Sequence, residues 1–169
     1  MQENGSRISD FVYESHKIYD GKPELQGLPA VYVEEKEEAQ TLEIILRDSL
    51  TGAKMTLYYT IMRDFPVITR SMNLENDGDQ SFDLTRAMSA CLDLPDKDYE
   101  WIQLSGAWAR EREIKTRKLE QGIQSVGSLR GNSSHNHNPF IALKRQSADE
   151  FQGDVIGMSL VYSLSLIHI

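Results

Sequence analysis

The sequence predicts an all-β fold built as a sandwich of two antiparallel sheets. Three observations carry that expectation. Apolar residues recur at every second position in several runs, turn residues rich in Gly, Asn and Asp separate those runs, and no long amphipathic helix occurs. The 169 residues suit a single domain large enough to bury a core without disulfides.

Taken in order, Phe11, Tyr13 and the Ile18-Tyr19 pair predict a hairpin around Asp20 to Pro23. Ala30 to Val33 predicts a short strand. Glu34 to Gln40 favours a helix but is too polar to bury a face, so it is expected as a solvated turn or strand rim. Leu42, Ile44 and Leu46 alternate with Glu43, Ile45 and Arg47. Met55, Leu57, Tyr59 and Ile61 then alternate with Lys54, Thr56, Tyr58 and Thr60. Asp48 to Gly52 lies between the two runs, and together they predict a hairpin. Ile68, Arg70, Met72 and Leu74 predict a further strand, ended by the turn Asn76 to Asp79. Phe82, Leu84, Arg86, Met88, Ala90, Leu92 and Leu94 hold one parity and predict a long strand. Arg86 interrupts that row and is expected to be paired or at an edge. Ile114 to Leu119, Ile123 to Val126, Phe140 to Leu143 and Val155 to Tyr162 complete the expected strands.

Composition narrows the function classes. A net charge of −8 argues against nucleic acid as a partner. The cluster Arg110, Arg112, Lys115, Arg117 and Lys118 is interleaved with Glu111 and Glu113, which predicts a solvated or paired face. No apolar run is long enough to span a bilayer, so no membrane role is expected. The polar opening residues contain no secretory signal. The single cysteine, Cys91, cannot form an intrachain disulfide and is expected as a buried structural thiol.

Few residues suggest chemistry. His135 and His137 form an H-x-H, but in a loop-like segment with no nearby carboxylate, so no metal is expected. Asp93, Asp96, Asp98 and Glu100 cluster without a calcium-loop pattern and are read as loop charges. No nucleophile elbow or phosphate loop occurs, and no spacing singles out a carboxylate pair. Trp101 and Trp108 could each form a sugar platform or close the core, and core packing is the expectation.

Several strings in one order carry a resemblance. They include Ile18–Pro23 (IYDGKP), Leu28–Val33 (LPAVYV), Val67–Ser71 (VITRS), Tyr99–Ile102 (YEWI) and Gly106–Arg112 (GAWARER). Arg130–His135 (RGNSSH), Asn138–Leu143 (NPFIAL) and Gly157–Ser163 (GMSLVYS) follow. Together, over Ser6 to Ser163, they resemble the N-terminal domain of bacterial α-galactosidases of glycoside hydrolase family 36.

The resemblance implies a β-supersandwich, here expected to be incomplete at both ends, with residues 1–163 forming part of the domain. It implies a parent enzyme, bacterial and cytoplasmic, that hydrolyses terminal α-galactosyl residues of raffinose-type oligosaccharides with retention. Its two catalytic aspartates would lie in a (β/α)8 barrel absent from this chain. No catalytic residue, metal or cofactor is therefore assigned here. The expected partners are that barrel, the α-galactoside through the parent, and further copies in a homo-oligomer. Trp108, Arg110 and Arg112 in one string, and Arg130, His135 and Asn138 in another, are the residues expected to shape an interface or pocket, because Trp, Arg and Asn-Pro turns fix interfaces. Asn136 departs from the family, where Gln is expected. Leu164 to Ile169 also departs, and is read as a non-native tail translated from sequencing-library adapter DNA. The alternative to an accessory domain is a stand-alone galactoside-binding module.

Overall fold

The computed structural model describes residues 2, 5–25, 27, 30–96, 98–127 and 135–161. They fall into two compact units, Met1–Leu92 and Asp93–Ile169. The all-β expectation stands: each unit holds one antiparallel four-stranded sheet. Among the described residues, no helix is long and apolar enough to cross a membrane.

The first unit orders its strands β1-β2-β3-β4. These are β1 (Phe11–Asp20), β2 (Ala39–Asp48), β3 (Lys54–Met62) and β4 (Ile68–Glu75). The alternating runs around Asp48–Gly52 form the β2–β3 hairpin as expected, with Thr41 opposite Thr60 and Leu42 opposite Tyr59. The deeper row of this hairpin is polar. Thr41 and Thr60 are fully buried, while Leu42, Ile44 and Leu46 are half-buried. Burial is tolerable because the polar atoms find partners. The Thr41 hydroxyl donates to the Gly21 carbonyl at 2.6 Å and lies 2.8 Å from the Thr60 hydroxyl. Beside them, Glu43 takes Lys17 at 3.1 Å and the Tyr19 hydroxyl at 3.3 Å. Burial, then the charge and hydrogen bond of Glu43, push the Tyr19 phenol up to about 12.

Asp48 closes the same hairpin. Its carboxylate accepts the Asp10 amide at 2.9 Å, the Leu50 amide at 3.2 Å and the Thr51 hydroxyl at 2.7 Å. One buried carboxylate thus ties the end of β2 to the turn and to the segment entering β1.

Four expectations in this unit are corrected. No hairpin turns at Asp20–Pro23: β1 runs unbroken and pairs with β2, and the chain leaves through Gly21, whose φ of 93° favours glycine. Ala30–Val33 is irregular. The helix-prone acidic stretch, by contrast, is the solvated turn expected of it: the exposed 3-10 turn Lys36–Glu38 leads directly into β2. The long strand expected over Phe82–Leu94 is absent; only Phe82 makes a bridge, to Gln2. Alternation alone cannot hold a strand without a neighbour to complete its ladder. The backbone there is instead gripped by Arg70, whose guanidinium donates to the Met88 carbonyl at 3.2 Å and to the Ser89 carbonyl. Cys91 lies on this irregular segment and is exposed, not buried.

The second unit orders its strands β6-β5-β7-β8. These are β5 (Tyr99–Ala107), β6 (Arg110–Lys118), β7 (His137–Arg145) and β8 (Val155–Ser159). Ile123–Val126, expected as a strand, is irregular, and the Ser125 carbonyl accepts Arg117 at 3.3 Å. The acidic loop before β5 is paired: Arg145 forks onto Asp96 at 2.6 and 3.1 Å while lying 4.0 Å from the Tyr99 ring. The hydrogen bonds from Arg145 and from the Asp98 amide hold the Asp96 carboxyl below its ordinary range. Glu100 pairs with Lys144 across β5 and β7 at 3.0 Å.

Candidate functional site

The candidate site lies at one end of the second sheet, where β5 turns into β6 and β7 begins. Register places its side chains. Ser105 on β5 sits opposite Glu113 on β6 and His137 on β7, and Gln103 sits opposite Lys115. Residues paired across strands share a face, and so do residues two apart on one strand. Ser105, Glu113, Lys115 and His137 therefore project to one side.

A backbone irregularity shapes this end. On β5, Ser105 to Ala107 spans two steps, whereas the paired stretch of β6, Arg110 to Glu113, spans three. The extra residue makes a bulge, and it places Arg112 at φ 59°. Ala109 in the connecting turn has φ 62°, and its amide donates to Glu111 at 2.8 Å. Non-glycine residues seldom adopt this region, and such strain gathers at functional positions. Gly106 makes the close approach possible, since a Cβ there would lie 2.0 Å from the Arg110 carbonyl oxygen.

The result is a hollow of about 370 Å³ lined by Ser105, Arg110, Glu113, Lys115, Asn136 and His137, with Gly106 and Ala107. Lys115 and Glu113 pair at 2.8 Å, and that hydrogen bond and charge hold the Glu113 carboxyl below its ordinary range. The face beside the hollow carries polar atoms with nothing to bond. Among the described residues, Trp101 Nε1, Gln103 Oε1 and His137 Nδ1 are buried without a hydrogen-bond partner, and so is Asn138 Oδ1. Each such atom costs about 1–3 kcal/mol.

The two strings singled out in the sequence meet here, in part. Arg110 lines the hollow beside Asn136 and His137. Trp108 stands in the turn between two lining residues and is 83% exposed, so it does not close a core. Arg112 is exposed on β6, and His135 is half-buried in the turn before β7. Asn138 lies on β7 with its buried, unpartnered oxygen. Arg130 lies outside the described residues, as do Leu28, Pro29 and the tail from Tyr162 onward. Trp101 packs within the sheet, with the Arg117 guanidinium 4.8 Å from its ring centre. No local pattern in the sequence marks Ser105 or Gln103, while Lys115, exposed and paired with Glu113, fits the solvated or paired face expected of the basic cluster. The signal for them was Gly106, since a lone Gly inside a strand marks a bulge. Among the described residues, no group of three or more His, Cys, Asp or Glu side chains is placed to hold a metal.

A second hollow, about 720 Å³, lies in the first unit and is lined by Tyr19, Lys22, Tyr32, Glu34, Glu35 and Lys36 among others. Burial lowers the Lys22 ammonium pKa, and its Nζ donates to the Pro23 carbonyl at 3.4 Å. Among the described residues this hollow holds no buried polar atom left without a partner, so the sheet-end hollow is the stronger candidate.

Comparison with known proteins agrees with the resemblance. The sequence profile described as the glycosyl hydrolase family 36 N-terminal domain matches residues 1–167. α-Galactosidase AgaA of Geobacillus stearothermophilus is 54% identical over 161 residues, which are 95% of this chain and 22% of that protein. α-Galactosidase 1 of Pediococcus pentosaceus is 45% identical, again over 95% of this chain and 22% of its own length. A crystal structure of an AgaA variant in complex with raffinose superposes with a TM-score of 0.94 at 54% identity, over 96% of this chain and 23% of that one. The α-galactosidase of Lactobacillus brevis gives 0.93 at 42% identity, over 96% and 22%. This chain thus spans under a quarter of the length of these relatives.

Proposed function

The chain belongs to the glycosyl hydrolase family 36 N-terminal domain family, and from that premise we propose that it serves as the accessory β-domain of a retaining α-galactosidase. In this reading the parent removes terminal α-galactosyl residues from raffinose-type oligosaccharides, and the catalytic carboxylates reside elsewhere in the parent. The observation that carries the reading is the match along nearly the whole chain to enzymes of which it forms only about a fifth. The sheet-end hollow agrees with a non-catalytic role. It offers one carboxylate, Glu113, already paired with Lys115, whereas retaining hydrolysis needs two carboxyls ~5 Å apart. The chain alone is expected to release no galactose from raffinose above background. Measurable turnover would overturn the proposal.

The hairpin end bearing Trp108 and the hollow is the surface proposed to dock on the catalytic domain or on a neighbouring subunit. An exposed Trp beside charged groups suits the centre of an interface. Trp108→Ala is expected to weaken association with a separately expressed family 36 catalytic portion about thirtyfold, the equivalent of roughly 2 kcal/mol. Calorimetry that shows equal affinity would remove this surface from the interface.

The exposure of Trp108 also favours a second reading, a galactoside-binding module. That reading predicts a saturable change in Trp fluorescence with galactose, melibiose or raffinose, lost in Trp108→Ala. The accessory-domain reading predicts no such change.

A further inference from the structure

We propose that the hollow at the bulged end of β5, β6 and β7 is a carboxylate receptor, occupied by an acidic side chain of the parent's catalytic portion where that portion docks on this hairpin. The proposal rests on the docking role given above and names the chemistry of what docks.

Charge and donor count favour a carboxylate. On a chain of net charge −8, β6 reverses the sign: Arg110, Arg112, Lys115, Arg117 and Lys118 outnumber Glu111 and Glu113. Among the described residues, the Arg110 side chain makes no ion pair or hydrogen bond, and its charge lies near enough to Glu113 to help hold that carboxyl below its ordinary range. Its guanidinium presents a planar fork of donors that matches the two oxygens of a carboxylate. Lys115 gives one of its three N–H groups to Glu113 and keeps two for a second acceptor. Both partners of that pair are more than half exposed, so it holds the ammonium only weakly. Ser105 adds a hydroxyl. His137 lines the hollow and serves as its reporter, with Nδ1 buried and unpartnered. Ser105, Arg110 and Lys115 supply donors from two strands to one hollow, and among its lining side chains only Glu113 carries negative charge.

The hollow is also built rather than incidental. Gly106 admits the Arg110 carbonyl where any side chain would collide. The bulge at Arg112 and the left-handed turn at Ala109 hold Arg110 beside the start of β7. Arg117, on the same strand, is committed elsewhere, over Trp101 and to the Ser125 carbonyl, and serves as a control.

The test is an acetate titration of the full chain at constant ionic strength, with histidine labelled in nitrogen-15. The His137 imidazole signals are expected to shift saturably, while those of His16 on β1 stay fixed. Arg110→Gln is expected to weaken acetate binding roughly tenfold or more, Lys115→Gln to weaken it less, and Arg117→Gln to leave it unchanged. Lys115→Gln keeps the test decisive should Arg110→Gln fail to fold. An absent or non-saturating shift would overturn the proposal, and so would Arg110→Gln and Lys115→Gln chains that bind like the unaltered one. Sulfate binding more tightly than acetate would overturn it in favour of a tetrahedral oxyanion. Saturable acetate binding, with Arg110→Gln docking on the catalytic portion as tightly as the unaltered chain, would overturn the docked side chain as occupant. No acetate binding together with lost docking in Trp108→Ala would overturn the receptor while leaving the docking role intact.

Discussion

Gly106→Ala is expected to lower the thermal melting midpoint of the chain by about 10 °C, the equivalent of roughly 3 kcal/mol. The new Cβ would stand 2.0 Å from the Arg110 carbonyl oxygen and 3.0 Å from its carbon. Neither atom belongs to a flexible side chain, so β5 and β6 must part or the bulge must unwind. Either change also spreads Arg110 and Ser105, and acetate binding at the hollow should fall with it. Gly127→Ala is the matched control, because a Cβ there meets nothing within 4 Å. Circular dichroism melts of the two variants beside the unaltered chain would decide the matter. Equal midpoints would mean that the close approach at Gly106 is not fixed in solution.

Asp48→Ala is expected to cost about 3 kcal/mol, because it strips the acceptor from two backbone amides and one hydroxyl in a buried setting. Asp48→Asn should cost less, since its carbonyl oxygen can still receive the Asp10 and Leu50 amides. Acid sensitivity follows from the same contacts. Burial alone would raise the carboxyl, but the hydrogen bonds from Thr51, Asp10 and Leu50 outweigh it and hold the folded value below the ordinary one. A group with a depressed folded pKa lends stability above its unfolded value, near 4 for Asp, and loses it as pH falls through the folded value. Stability should therefore decline more steeply below about pH 4 in the unaltered chain than in Asp48→Asn. Parallel acid melts would show that Asp48 does not contribute.

The β2–β3 hairpin and β4 were legible in the sequence because their side chains alternate and their turns use Asp, Asn and Gly. The failure at Phe82–Leu94 shows what alternation leaves out. That run has the right parity but no neighbouring strand beyond one bridge, and pairing rather than parity makes a strand. β5 was hidden for the opposite reason. Its alternate row Trp101, Gln103 and Ser105 mixes an aromatic with polar groups, so no apolar stripe announces it. The site was legible only in part. The strings around Trp108 and His135 were marked by resemblance, but the hollow depends on a bulge that shifts Arg110 and Glu113 against β5 by one residue. No spacing in the sequence specifies that register. The segment of His135 and His137 reads as loop-like in the sequence, and His135 does lie in a turn, but His137 opens β7 and is the one of the two that lines the hollow.

β6 is an outer strand, exposed along its whole length, and all its residues but Ile114 and Thr116 are charged. Among the described residues one backbone edge of this strand has no neighbour and is open to pairing with another chain, and dense charge is what discourages it. Colloidal behaviour should therefore hinge on ionic strength. At about 1 M salt the Debye length shrinks to roughly 3 Å, and repulsion between approaching β6 strands is lost. A scattering radius that grows on adding sodium chloride, and shrinks again on dialysis, is the signature of an edge kept solitary by its own charges.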